Sequence, residues 1–67
     1  MSKAEDIREW IRDHPGQHTA SEINTGLGLQ GRVRYLYSYA LKTLVEHEEV
    51  MAEGHAKQRR YWLRNQS

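Results

Sequence analysis

The hydrophobic pattern at the start of the chain predicts an amphipathic helix. Residues 2–5, Ser-Lys-Ala-Glu, have the S/T-x-x-E form of a capping box, in which two side chains satisfy free backbone N–H groups at a helix start. Apolar residues and one histidine then recur at three- and four-residue spacing, on one helical face: Ala4, Ile7, Trp10, Ile11 and His14. Pro15 and Gly16 predict where this helix ends.

A second capping-box sequence, Thr-Ala-Ser-Glu at residues 19–22, predicts a short helix over about residues 20–27. Ile23 and Leu27 follow at helical spacing. Gly28 is suited to end this helix, because glycine reaches positive φ without steric cost. Gly26 lies inside the helix and weakens it.

A third helix is predicted over about residues 31–47. Its apolar positions share one side of a helical wheel that advances roughly 100° per residue: Val33, Tyr37, Ala40, Leu41 and Leu44. The opposite side combines cations with tyrosine hydroxyls: Arg32, Tyr35, Tyr39, Lys42, Thr43 and Glu46. This second face is the candidate for function. Tyr37 is assigned to the core, because residues two apart do not share a helix face.

A β-hairpin is predicted after the third helix. Residues 50–52 and 60–63 have strand-like composition, and residues 53–57 form the loop between them. If Tyr61 and Leu63 point into the core, the two-residue period of a strand sends Arg60, Trp62 and Arg64 to the other face. Residues 17–19 are suited to a short strand beside the hairpin. The expected fold is mainly α with a small β-hairpin, an α+β class with three helices and a two- or three-stranded antiparallel sheet.

Chain length and charge narrow the picture. A chain of 67 residues has room for one domain, residues 1–67, and it lacks the cysteines that would support a small core. No apolar stretch is long enough to span a membrane, so we expect a cytoplasmic protein with no membrane partner. The net charge is only +1, but residues 1–29 carry −2 and residues 30–67 carry +3. An anion-binding surface is therefore expected in the second half.

Short motifs along the chain resemble those of the winged helix-turn-helix family. The similarity spans nearly the whole chain and rests on Ser21-Glu22-Ile23, the turn Gly26-Leu27-Gly28-Leu29, the helical stretch Leu41-Lys42-Thr43-Leu44, and Val50. Two features depart from the family pattern. The stretch between Leu29 and Leu41 is about one helical turn longer than usual, and Glu48 stands where the family commonly has glycine. The third helix is therefore expected to be longer than usual, and the turn at its C-terminal end is expected to differ from the family pattern.

The resemblance implies that the protein binds double-stranded DNA. In this family the third helix enters the major groove, while the hairpin, called the wing, lies along the backbone or in the minor groove. The recognition-helix candidates are then Arg32, Arg34, Tyr35, Ser38, Tyr39 and Lys42. The candidates in the wing, about residues 53–60, are Lys57, Gln58, Arg59 and Arg60.

Side-chain chemistry separates the expected roles of the cations. Arg32 is expected to contact base edges, because a guanidinium group can grip guanine with two hydrogen bonds. Lys42 is expected to contact a phosphate, because an ammonium group acts as a point charge. The wing cations are expected to position the domain through phosphate contacts that carry no sequence information.

Catalysis is not indicated by the sequence. Ser38 has no local base motif, and the adjacent Glu48 and Glu49 point in different directions. A phosphate-binding glycine motif is also missing. We therefore expect no enzyme, no cofactor and no small-molecule substrate.

Metal binding is not indicated either. His14 and His18 are four residues apart, but Pro15 and Gly16 interrupt the helix that would place both on one face. His47 and His55 lack neighbouring ligands and are expected to be surface histidines.

Other functions remain open for the same fold. The protein would be an interaction module if Leu36, Tyr39 and Trp62 formed an exposed patch for a protein partner, which the modest net charge favours. Recognition of left-handed duplexes is a further alternative, although the proline-rich wing usual there is missing. A homodimer or cooperative assembly on DNA is compatible with binding to ordinary double-stranded DNA and with binding to left-handed duplexes.

Overall fold

Three helices and three strands alternate along residues 2–65, the part of the chain that the structure, a computed structural model, describes. The elements are α1 (Lys3–Asp13), β1 (His18–Thr19), α2 (Ala20–Gly26), α3 (Val33–Glu46), β2 (Val50–Glu53), a 3-10 turn (Ala56–Gln58) and β3 (Arg60–Leu63). The strands form one antiparallel sheet in the order β1-β3-β2. This α+β arrangement confirms the predicted fold class, including the short strand within residues 17–19. It is consistent with a winged-helix layout, in which β2, β3 and the segment between them form the wing.

Both predicted capping residues begin their helices. The Ser2 Oγ accepts a hydrogen bond from the Glu5 N–H at 3.1 Å at the start of α1. At α2 the capping box is complete, since the Thr19 Oγ1 accepts from the Glu22 N–H at 3.2 Å and the Glu22 Oε1 accepts from the Thr19 N–H at 2.9 Å. These bonds satisfy donors that a helix start leaves free, and they begin α2 directly after β1.

The end of α2 follows the predicted glycine turn. Gly28 has φ +71°. Its N–H donates to the Thr25 carbonyl at 3.1 Å, and the N–H of Leu29 donates to the Asn24 carbonyl at 2.9 Å. These two bonds define a Schellman motif, in which one residue in the left-handed conformation turns the chain back along the helix.

The end of α3 has the same geometry without a glycine. Glu48 has φ +61°. Its N–H donates to the Val45 carbonyl at 3.0 Å, and the N–H of Glu49 donates to the Leu44 carbonyl at 3.0 Å. The chain therefore leaves α3 by the turn that favours glycine, although a residue with a Cβ occupies the left-handed position.

α3 begins later than the hydrophobic pattern predicts. Gly31 has φ +64°, which no α-helix contains, and the helix starts at Val33 instead of about residue 31. The assignment of Val33 to the core is wrong, because its side chain is 42% exposed. Leu36, one turn further, is 47% exposed. The first turns of α3 thus extend past the residues that pack the core.

The register of the sheet determines which wing residues face the core. Val50 lies opposite Leu63, and on this face Val50 is buried while Tyr61 and Leu63 pack against the core. Trp62 lies opposite Met51 on the other face. The predicted alternation of inward and outward residues in β3 is therefore confirmed.

Among residues 2–65, six buried aliphatic side chains from the three helices and β2 form the core: Ile7, Ile11, Ile23, Leu41, Leu44 and Val50. Trp10 packs against this cluster from α1. A Cβ built at Gly26 would lie 2.3 Å from the Trp10 ring. Glycine inside α2, unfavourable for the helix alone, therefore makes room for the indole.

Two polar contacts hold α1 against the rest of the fold. The Tyr37 hydroxyl of α3 donates to the Asp6 Oδ2 at 2.7 Å. This hydrogen bond, with some desolvation, raises the pKa of Tyr37 above its ordinary value of 10.0. The Arg8 Nη1 lies 2.6 Å from the Glu49 Oε1, at the turn between α3 and β2. Tyr37 is therefore a structural residue, as predicted.

Glu48→Gly is expected to stabilise the protein. The Cβ of a residue at φ +61° is sterically unfavourable, and its removal contributes about 1 kcal/mol. The lost ion pair with Arg64, 3.6 Å long and exposed, is worth less. The melting temperature measured by circular dichroism should rise by roughly 4–8 °C per kcal/mol. Glu48→Ala is the control, because it removes the carboxylate but keeps the Cβ. A melting temperature for Glu48→Gly no higher than that of Glu48→Ala would contradict this explanation.

Candidate nucleic-acid interface

Five of the six predicted recognition-helix residues lie on α3, and the sixth, Arg32, is the N-cap residue directly before it. All six are exposed: Arg32, Arg34, Tyr35, Ser38, Tyr39 and Lys42. Tyr35 and Tyr39 are 72% and 70% exposed, more than any other large hydrophobic or aromatic side chain of residues 2–65. Arg34, Ser38 and Lys42 are four residues apart and form one row along the helix. The face therefore presents a basic row beside two projecting phenol rings.

The hydroxyl groups of this face are partly used within the helix. The Ser38 Oγ donates to the Arg34 carbonyl at 2.8 Å, and the Thr43 Oγ1 donates to the Tyr39 carbonyl at 3.0 Å. Each hydroxyl has a single hydrogen, so in this arrangement it offers only lone pairs to a ligand. Ser38 is thus positioned as an acceptor.

The four predicted wing residues do not form one cluster. Lys57 and Gln58 lie in the 3-10 turn at the tip of the wing. The Arg59 guanidinium lies 5.7 Å from the centre of the Tyr61 ring, on the side of the sheet that faces the core. Arg60 belongs to the central strand, opposite Thr19 of β1. Arg60 is therefore part of the sheet surface, and Lys57 is the cation nearest the tip.

Two adjacent surface depressions bring the wing and α3 together around α2. One is lined by Ala20, Ser21, Asn24, Arg34, Ala56 and Lys57. The other is lined by Asn24, Gly31, Arg34, Tyr35 and Ser38. Arg34 and Asn24 belong to both, so the predicted residues of α3 and the wing tip converge on a residue of α2 that the sequence analysis does not single out.

The turn between α3 and β2 holds two ion pairs. Glu49 pairs with Arg8, and Glu48 lies 3.6 Å from Arg64, so both acidic residues of the turn after α3 are matched by cations of α1 and the C-terminal segment. Within residues 2–65, Arg34 and Lys57 have no carboxylate within 4.0 Å, and the same is true of the other candidate cations: Arg32, Lys42, Arg59 and Arg60. None of these cations forms an ion pair in the part of the chain that the structure describes.

Glu22 completes the capping box at the start of α2, directly after β1. The hydrogen bond from the Thr19 N–H, helped by the Thr19 side chain, holds the pKa of Glu22 below its ordinary value of 4.5. Desolvation opposes this shift, while the charges of His18 and Arg60 add to it. Arg60 also lies opposite Glu53 in the register of β2 and β3. With two acidic residues of the chain acting on its charge or paired with it in the sheet, Arg60 is the weakest of the proposed phosphate ligands.

The structure corrects the expected separation of His14 and His18. The His14 ring stacks on Trp10 at 4.2 Å, and the His18 ring meets the edge of the same indole at 4.9 Å. Although the helix ends between them, the return of the chain into β1 brings both rings to one aromatic cluster. The Nδ1–H of His14 donates a hydrogen bond to the Trp10 carbonyl, and the Nε2–H of His18 donates one to the His14 carbonyl. Within residues 2–65, no three His, Asp or Glu side chains are grouped so that they could hold a metal ion.

The apolar-aromatic patch proposed for a protein partner is divided in the structure. Leu36 and Tyr39 are exposed on α3, whereas Trp62 is half-buried on the sheet face that points away from the core. Since α3 contributes Leu41 and Leu44 to that core, the sheet stands between Trp62 and the helix. The three side chains therefore do not form one surface.

The comparisons with known proteins identify no relative. The chain matches no model of a known protein family, no curated protein and no solved structure. In the part of the chain that the structure describes, no helix has both the length and the apolar character needed to cross a membrane.

The lowered pKa of Glu22 predicts a specific loss of stability in acid. The folded state favours the charged carboxylate, so this contribution is present above the unfolded pKa and is lost as pH falls through the lower folded value. Glu22→Gln should be less stable than the wild type at about pH 6, and the difference should shrink by about pH 3. Urea unfolding at both pH values measures this, with Ser21→Ala as a control in the same helical turn. A constant difference between wild type and Glu22→Gln would contradict the prediction.

Proposed function

We propose that the protein binds double-stranded DNA, with the N-terminal turns of α3 in the major groove and the wing tip on the backbone. The observation that carries this proposal is the set of cations on α3 and the wing that are exposed and form no ion pair within residues 2–65. A surface of this kind attracts a polyanion, and the modest net charge of the chain conceals it.

The projection of α3 supports a helix-in-groove arrangement. A major groove about 12 Å wide admits one α-helix and presents donors and acceptors on its base edges. Arg32 at the N-cap and Tyr35 in the first turn of α3 lie where the helix extends past the core, and both are exposed. Arg32 supplies the guanidinium donors for a base edge, whereas Lys42, further along the helix, supplies a point charge for a phosphate.

The wing supports the same orientation. Lys57 lines a depression with Arg34, so a duplex that contacts the basic row of α3 also lies within reach of the wing tip. Phosphate contacts of this kind fix the position of a protein on DNA without reading its sequence. Sequence reading is accordingly assigned to α3.

The proposal extends to the role of the protein in the cell. A domain that binds duplex DNA and carries no proposed catalytic group would act as a regulator, in the cytoplasm and associated with the nucleoid when bound. If it binds as a symmetric dimer, its target contains two half-sites separated by about 10 base pairs or a multiple. The resemblance of the sequence motifs to the winged helix-turn-helix family supports DNA binding, and membership of that family is itself part of the proposal.

Binding to a random duplex of about 20 base pairs should weaken steeply between about 50 and 200 mM salt, because each phosphate contact releases counterions. Fluorescence anisotropy should give micromolar dissociation constants at the lower salt concentration. Lys42→Gln should reduce the slope of log affinity against log salt by about 0.9, whereas Lys3→Gln, which removes an exposed cation of α1, should leave it unchanged.

Two results would contradict the DNA proposal. One is an absence of duplex binding at the lower salt concentration, and the other is an equal effect of Lys42→Gln and Lys3→Gln. Binding to another protein through apolar side chains, the alternative function, would depend little on salt.

A further inference from the structure

One ring nitrogen of His18 is buried without a hydrogen-bond partner, and it is the only side-chain nitrogen or oxygen within residues 2–65 of which this is true. This atom, Nδ1, belongs to a side chain that is 17% exposed and lies in β1, opposite Tyr61 of β3. Buried polar atoms are normally paired, because an unpaired one loses its hydrogen bonds to water. The ring therefore has one hydrogen-bonding position that the fold leaves unfilled.

Hydrogen-bond acceptors lie on two sides of the His18 ring. At the end of α1, the His14 carbonyl accepts from Nε2. From α2, the Glu22 Oε2 lies 3.8 Å from Nδ1. The Glu22 carboxylate is ionised near neutral pH, since the hydrogen bond from the Thr19 N–H holds its pKa below the ordinary value of 4.5. Neither a carbonyl nor an ionised carboxylate is able to donate, so each of the two needs a proton from the ring.

One protonation state of His18 matches both neighbours. Neutral imidazole has a single N–H, so the bond to the His14 carbonyl leaves Nδ1 as a lone pair that faces the carboxylate. The other neutral tautomer would turn a lone pair towards the carbonyl instead. The imidazolium form has an N–H at both nitrogens, and an approach of about 1 Å would bring Nδ1 and the Glu22 Oε2 within hydrogen-bond distance. The surroundings therefore favour the charged ring.

Other charged or titratable groups face the same position. The His14 ring centre lies 6.5 Å from that of His18, and Arg60 of β3 acts on the charge of Glu22. A positive charge on either opposes one on His18, but both side chains are exposed, so water and salt screen them. Tyr61, opposite in the sheet, is a phenol and adds no charge near neutral pH. The attraction at 3.8 Å to Glu22 is the shorter-range interaction and therefore dominates.

We propose that His18 is a proton-binding switch that joins the end of α1, β1 and the start of α2. Its charged ring bridges the His14 carbonyl and the Glu22 carboxylate, whereas its neutral ring holds only the carbonyl. Because β1 has two residues and α2 begins directly after it, the bridge also acts on the start of α2. The stabilisation is present in mild acid and is lost as the ring gives up its proton at higher pH. The switch does not depend on DNA binding, so either proposal can fail alone.

Urea unfolding at about pH 5.5 and about pH 8 tests the switch. His18→Gln removes the titrating ring but keeps a polar side chain. The ratio of the wild-type folding equilibrium constant to that of His18→Gln should be about twofold to fivefold larger at the lower pH, as expected for a solvent-screened ion pair. His55→Gln is the matched control, because it removes an exposed histidine between β2 and β3. Its ratio should be the same at both pH values.

Glu22→Gln tests the partner of the proton. In this background, the pH-dependent effect of His18→Gln should be lost, because an uncharged amide no longer favours the charged ring. Nitrogen–proton NMR spectra of the wild-type ring test the same arrangement without any substitution. At about pH 8 they should show the tautomer with its proton on Nε2, the nitrogen that bonds the His14 carbonyl.

Four results would overturn the switch. Three come from unfolding: a wild-type to His18→Gln ratio that does not change with pH, a change of equal size for His55→Gln, and a change that persists without the Glu22 carboxylate. The fourth is a neutral wild-type His18 ring with its proton on Nδ1.

Discussion

Six buried aliphatic side chains hold all the helices and the sheet together, and they reach only part of α3. Leu41 and Leu44 anchor the second half of that helix, whereas Val33 and Leu36 in its first half are largely exposed. A core this small cannot cover a helix of 14 residues. The first turns of α3 are therefore left exposed, where a ligand can reach them. The charge pattern adds to this, because the acidic residues after α3 are paired with cations elsewhere.

Much of the fold can be predicted from short-range sequence patterns: capping residues, a turn glycine and strand alternation. Capping residues give the starts of α1 and α2, since their hydrogen bonds join groups three residues apart. Gly28 gives the end of α2, because its left-handed conformation is a local requirement of the turn. The same reasoning explains why the family pattern has glycine at the position of Glu48. Strand alternation correctly assigns the two faces of β3, since it also depends only on neighbouring residues.

The features that the sequence does not predict depend on contacts between distant segments. Periodicity places Val33 on the core side of its helix, but it does not tell where the core ends. Pro15 and Gly16 do separate His14 from His18 along the helix, yet the returning chain brings both rings to Trp10. Asn24 gives no local signal, because a polar residue in a short helix is usually exposed. Its position on α2, at the junction with α3 and the wing, is determined only by the packing of the helices.

The position of β3 at the centre of the sheet has a consequence for how the protein is made. β1 and β2 both pair with β3 and not with each other, and β3 is the last of the three to be synthesised. His18 of β1 therefore has no strand partner until Tyr61 has been synthesised. Pairing β1 with β3 closes a long loop and so lowers the chain entropy, and contacts within the helices do not offset this cost. Until residues 60–63 are present, neither β1 nor β2 has a strand partner, so the sheet that packs against α1 and α3 cannot form.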